Sequence, residues 1–143
     1  RWLAHDPPGR AAALEAGDFL AAELLPLLPG DVGLADTERL LAVGGSACAV
    51  TAWVHEIRRY EANGVHGLTV SEAALQVAID QLAEMSLAER MATGGLGAGR
   101  ARVLLGGSIL LAAALKVTRR DRFETSVFGL RHGRALIRFR GSL

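Results

Sequence analysis

Gly44-Gly45-Ser46 is the most informative chemical feature of the sequence. It follows the short apolar run Arg39-Leu-Leu-Ala-Val43 and precedes a stretch of helical character. That is the pattern of a buried strand turning sharply into a helix. Glycines at such a turn let a ligand approach the backbone closely. The helix start offers unpaired N–H groups and a positive dipole end to a phosphate. The same glycines also serve where only a tight turn is needed. Arg100 follows Gly94, Gly95, Gly97 and Gly99, and from the start of a helix it can present its guanidinium fork to phosphate. A solvated first-turn arginine reads alike. Arg131, in Gly129-Leu130-Arg131-His132-Gly133, either lines a cleft or pairs with an acid. Gly44, Gly45, Ser46, Arg100 and Arg131 are therefore the candidate substrate-binding residues, and their common ligand is an anion.

The remaining inventory is thin. His5, His55, His66 and His132 show neither an HExxH pattern nor metal-ligand spacing. Cys48 sits near a helix start that can lower a thiol pKa, but no histidine is close in sequence, and it reads as a small buried residue. There is no phosphate-cradling Walker loop and no nucleophile elbow.

These residues need elements to position them. Arg10 to Leu25 carries Leu14, Phe19, Leu20 and Leu24 at helical spacing, and Pro26, Pro29 and Gly30 end it. A helix is expected from Ala47 to Tyr60, with Asn63-Gly64 breaking the pattern. Leu68 to Glu72 opens the next helix, which Ser71 caps, and Leu75, Ala78, Ile79 and Leu82 form its buried face. Ser86-Leu87-Ala88-Glu89 is a capping-box pattern. The glycines from 94 to 99 form a loop before a helix from about Arg100 to Lys116, apolar nearly all round and so expected to be central, with Leu105 and Leu110 in the core. Arg122 to Ser126 reads as a second short strand, and Gly129 to Phe139 as a closing helix. Two short strands do not make a sheet by themselves, so partner strands are expected outside this chain.

The composition excludes several classes. The 143 residues are 50% hydrophobic with a net charge of +1, which excludes intrinsic disorder. One cysteine excludes a disulfide scaffold and points to a reducing compartment. The longest apolar run, Val103 to Leu115, is 13 residues, below the roughly 18 that suggest a membrane-spanning helix, so no membrane partner is expected. The chain opens on Arg1 without a signal-peptide pattern and reads as a piece of a longer protein. Charge is divided unevenly. Residues 1–99 hold 6 arginines and 13 acids, a deficit of seven. Residues 100–143 hold 9 arginines and Lys116 against Asp121 and Glu124, a surplus of eight. Such a basic segment either meets a polyanion or balances the acidic part of the same fold.

Taken in order, the motifs resemble the C-terminal part of the exopolyphosphatase/guanosine pentaphosphate phosphohydrolase (Ppx/GppA) family. Arg1 to Pro8 resembles the segment after that family's second phosphate loop and strand pair. Leu41-Ala-Val-Gly-Gly-Ser-Ala47 resembles its vGGTaT motif, and Val65-His66-Gly67-Leu68-Thr69 its hHgxxLt turn. Leu87 to Arg90, Gly95-Leu96 and Arg100 to Leu104 resemble ER…GL…RADvi, and Ser126 to Gly133 resembles vSdxGLReG. The sequence departs from the family at Ser46 for Thr, Arg102 for Asp, Val127-Phe128 for a polar pair, and His132 for Glu.

The resemblance implies an α/β chain, the second lobe of an actin-like ATPase (RNase H-like) fold, incomplete and helix-rich here. Residues 1–143 would be the C-terminal part of a phosphatase domain whose N-terminal lobe, phosphate loops and catalytic residues lie upstream. It further implies a cytoplasmic, Mg²⁺-dependent hydrolase that removes terminal phosphate from polyphosphate or guanosine pentaphosphate. The polyanionic phosphate substrate would meet Gly44, Gly45, Ser46, Arg100 and Arg131. The competing reading is a non-catalytic phosphate-binding or dimerisation module, a homodimer in the latter case. A helical nucleic-acid-binding domain rests on the basic tail alone and is not expected.

Overall fold

A computed structural model of the chain describes residues 3–28, 39–57, 62–93 and 98–140. The fold is mixed α/β and helix-rich. In chain order its elements are α1 (Arg10–Leu24), β1 (Leu41–Val43), α2 (Gly45–Val54), α3 (Ala62–Val65), β2 (Thr69–Ser71), α4 (Glu72–Glu84), α5 (Leu87–Ala92), α6 (Ala98–Thr118), β3 (Arg122–Ser126) and α7 (Leu130–Arg140). A 3-10 turn at Leu25–Leu27 carries Pro26 and closes α1.

The sheet has three strands in the order β1-β3-β2. β1 runs parallel to β3, pairing Val43 with Ser126. β2 runs antiparallel to β3, pairing Val70 with Phe123. This corrects the expectation of two strands, because Thr69–Ser71 opens no helix but forms β2. Thr and Val are strand formers, yet three residues are too few to show a period. Ser71 both ends the strand and caps α4, its Oγ accepting from Ala74 N at 3.2 Å. The Ser86–Glu89 capping box forms as expected.

α2 starts two residues earlier and ends six residues earlier than Ala47–Tyr60, whose last three residues lie outside the described ones. Glu56 adopts a left-handed φ of 55°, Glu56 N–H donates to the Trp53 carbonyl, and Ile57 N–H to that of Ala52. This is the Schellman stop, usually signalled by glycine and hidden here by a glutamate. α6 ends the same way on Arg119, φ 54°, with Arg120 N–H bonded to the Leu115 carbonyl. Asn63-Gly64 lies within α3 rather than breaking a helix, and Gly99 belongs to α6 rather than to the preceding loop.

α6 is the central element, packed against α1, α2, α4 and α5. Ala101, Leu104, Leu105, Ile109, Ala113 and Leu115 are buried along it. Leu105 is 3% exposed but Leu110 is 45% exposed, which corrects the expectation that both are core. Leu110 shares an open face with Arg102 and Val103. Residues Gly99–Thr118 are long and apolar enough to cross a membrane by length and composition, but a buried core helix has the same composition. Between α2 and the sheet, the hydroxyls of Thr51 and Thr125 hydrogen-bond each other with no solvent exposure. Cys48 is buried and unbridged.

Candidate functional site

The parallel pair β1 and β3 decides what comes together. Val43 lies opposite Ser126, so the turn Gly44–Ser46 and the turn Val127–Arg131 leave the sheet side by side at its carboxyl end. In α/β sheets this is where ligands collect. Gly44, Gly45 and Arg131 thus share one edge.

Gly44 has φ 104° and ψ 175°, a conformation essentially restricted to glycine. Its carbonyl accepts from Cys48 N–H at 3.1 Å, and no side chain caps α2. Among the described residues no side chain caps the first-turn N–H groups of α2, as an anion site at a helix start requires. Gly45 differs from Gly44. It has no left-handed φ, and a Cβ built on it meets nothing within 4 Å. Neither backbone angle nor packing within the described residues requires glycine there.

Ser46 turns away from the sheet edge toward α6. A Cβ on Gly107 would lie 2.7 Å from Ser46 Cβ and 2.8 Å from its Oγ, so the two helices cross at Ser46 and Gly107. Arg100 is half-buried in the first turn of α6, seven residues before that crossing, or about 10 Å along the axis. Arg131 is exposed in the first turn of α7. Gly95-Leu96 lies outside the described residues.

Sequence reasoning missed two arrangements. The first is a groove of 650 Å³ beside Ser46, lined among others by His5, Asp6, Arg90, Arg102 and Gly106. Arg90 is buried; its Nη1 donates to the Leu82 carbonyl at 3.0 Å, its Nη2 faces Asp6 Oδ1 at 3.8 Å, and its Nε has no partner. Asp6 also accepts from Leu87 N–H at 2.7 Å. The second is the corner after β3. Phe128 meets the rings of His66 and His132 edge-on, at 4.9 and 5.3 Å between centroids. His132 Nδ1 accepts from Gly129 N–H at 3.2 Å. Gly129 immediately precedes α7, so His132 does what a glutamate at the third helical position does in a capping box. The unusual Phe128 and His132 thus build the corner together.

Among the described residues, no three His, Cys, Asp or Glu side chains are grouped so as to hold a metal ion. The one carboxylate lining the groove beside Ser46, Asp6, is engaged by Leu87 and Arg90. Mg²⁺ needs at least one or two free carboxylates beside phosphate, so these residues do not fit the ion.

The sequence matches no protein-family model and no curated protein. Solved structures do match. The Aquifex aeolicus member of the Ppx/GppA family superposes with a TM-score of 0.84 at 21% identity, over 97% of this chain and 44% of that one. An exopolyphosphatase-like protein gives 0.83 at 24% identity, over 99% of this chain and 47% of the other. An exopolyphosphatase from Cytophaga hutchinsonii gives 0.75 at 18% identity, over 96% and 44%. The chain therefore shares the fold of these structures along almost its whole length and spans less than half of theirs.

Proposed function

We propose that the chain is the C-terminal part of a Ppx/GppA-type phosphohydrolase, the second lobe of an actin-like fold that acts on the terminal phosphate of polyphosphate or guanosine pentaphosphate. The observation that carries this is the fold match over 94–99% of the chain to Ppx/GppA and exopolyphosphatase structures. The ordered motifs from Leu41 to Gly133 support it independently of the coordinates.

In this reading the chain's own residues bind and orient. The first turn of α2 receives a phosphate on its open N–H groups, as helix starts do. Gly45, free of any internal need for glycine, keeps that approach clear. Arg131, across from it on the neighbouring turn, and Arg100 contribute charge-assisted hydrogen bonds. The second reading is a non-catalytic phosphate-binding or dimerisation module.

The test has two measurements. The 143-residue chain, incubated with polyphosphate and Mg²⁺, is expected to release no phosphate, and rapid Mg²⁺-dependent release overturns the division of labour. Gly45→Val is expected to melt close to the parent while binding polyphosphate more weakly. A variant that melts normally and binds normally removes α2 from the site.

A further inference from the structure

None of the residues of α7 is buried, so its helical form gains little from packing. A helix of 11 residues is marginal in water without such support. The bonds of its own first turn therefore weigh heavily in whether that turn is wound. α7 carries four arginines and no acid, so no carboxylate of its own meets the positive end of its dipole or pairs along its length.

The cap that remains is an imidazole. Gly129 N–H donates to His132 Nδ1 at 3.2 Å. The Gly129 carbonyl in turn accepts from His132 N–H at 2.9 Å and Gly133 N–H at 3.3 Å. A backbone N–H can only donate, so Nδ1 is the unprotonated nitrogen of a neutral ring. Glu89 fills the same place at the start of α5, and a carboxylate goes on accepting throughout the neutral range. Imidazole does not. It changes charge between about pH 5 and 8, and once protonated both of its nitrogens donate. Two N–H groups would then face each other where one bond stood.

The surroundings act in the same direction. The Phe128 ring lies 5.3 Å from that of His132 and 4.9 Å from that of His66. Gly67 N–H, bonded to the Thr125 carbonyl at 2.8 Å, holds the His66 turn at the end of β3. Along α7 the charged neighbours of His132 are Arg131 and Arg134. These groups are cationic, or become so as pH falls, and a cation at a helix start opposes the dipole. Protonation thus turns His132 from a cap into one more positive charge among others. His55 is the contrast. Its Nε2 donates to the Thr69 carbonyl at 3.0 Å, a bond that survives protonation.

We propose that His132 is a pH-operated cap: neutral, it winds the first turn of α7 onto the Phe128–His66 corner, and protonated, it releases that turn. Arg131 lies in the released turn, beside Gly44-Gly45 at the sheet edge. The chain therefore presents a fixed arginine there at neutral pH and an unfixed one in mild acid. The inference does not rest on the phosphohydrolase reading.

The test is an NMR titration of the 143-residue chain. Backbone carbon shifts report how far residues 130–134 are wound, and ring shifts report each histidine. Between about pH 8 and pH 5, the first turn is expected to move roughly five- to tenfold toward the unwound form, the loss of one helix cap, with the midpoint of the His132 ring. His132→Glu is expected to stay wound throughout, and His132→Lys to be unwound throughout. His66→Gln is expected to keep the transition at His132. Shifts in α4 are expected to stay constant in every variant. A first turn that does not respond while the His132 ring titrates overturns the proposal. So does a transition that persists in His132→Glu, one that vanishes in His66→Gln, or one that carries α4 with it.

Discussion

Gly107→Ala and Gly106→Ala are neighbouring, chemically identical changes that should move stability in opposite directions. An alanine Cβ at Gly107 would sit 2.7 Å from Ser46 Cβ and 2.8 Å from Ser46 Oγ. Carbon atoms rest at about 3.5–4.0 Å, so the overlap is close to 1 Å. Rotating Ser46 relieves the contact with Oγ but not the one with Cβ, which is fixed to the backbone. α2 and α6 must separate, and overpacking of this kind costs about 1–3 kcal/mol. Alanine's better helix propensity returns about 1 kcal/mol, leaving a net loss of up to about 2 kcal/mol. At Gly106 a Cβ meets nothing within 4 Å, so only the propensity gain of about 1 kcal/mol remains. Urea unfolding of both variants reads the difference, and a thermal scan should place the two midpoints several degrees apart, at roughly 3–5 °C per kcal/mol for a chain of this size. Ser46→Gly combined with Gly107→Ala should recover most of the loss, because the colliding Cβ is gone. Equal effects at both glycines, or no recovery in the double variant, would refute the Ser46–Gly107 crossing.

Other consequences are as direct. Thr51→Val leaves the buried Thr125 hydroxyl without its partner and should cost about 1–3 kcal/mol, while the Thr51→Val/Thr125→Val pair should cost less than the two singles summed; additivity in a double-mutant cycle would contradict the bond. Leu105→Ala should lose about 2–5 kcal/mol and Leu110→Ala under about 1 kcal/mol in denaturant titrations, since only Leu105 leaves a cavity. Arg119→Gly should stabilise the chain by about 0.5–1 kcal/mol in the same assay, because the left-handed φ of 54° favours glycine. The Ser86 backbone N–H and hydroxyl hold the Glu89 carboxyl below its usual range. A depressed folded pKa contributes stability above the ordinary glutamate value that is lost as pH falls through the folded one, so the parent's acid-limb melting curve should fall more steeply than that of Glu89→Gln, and parallel curves would remove the capping box from the account.

The local elements were legible in the order of residues alone. Periodic leucines and alanines set α4 and α6, the serines at 71 and 86 set the starts of α4 and α5, and Arg122–Ser126 reads directly as β3. Each follows from forces acting within a few residues: side-chain spacing on a helix face, a hydroxyl meeting a nearby N–H, the alternation of Phe123 and Thr125 with Arg122 and Glu124. The candidate glycines could be picked out for the same reason, since a strand ending in Gly44-Gly45 is a local pattern. What distinguishes them was not local. Only the folded chain shows that Gly44 needs its positive φ while Gly45 needs nothing, and that Ser46 faces Gly107, sixty-one positions later in the sequence. β2 owes its existence to pairing with β3, whose N–H and carbonyl groups supply what three residues cannot satisfy alone. The apolar pattern of α6 names no inner face; contact with α1, α2 and α4 buries Leu105 and leaves Leu110 outside. Likewise, Gly44–Ser46 and Val127–Arg131 become neighbours solely because β1 and β3 run parallel. Strand direction is a property of the paired sheet, settled by which hydrogen bonds and buried faces can be satisfied together, and no single segment of the sequence encodes it.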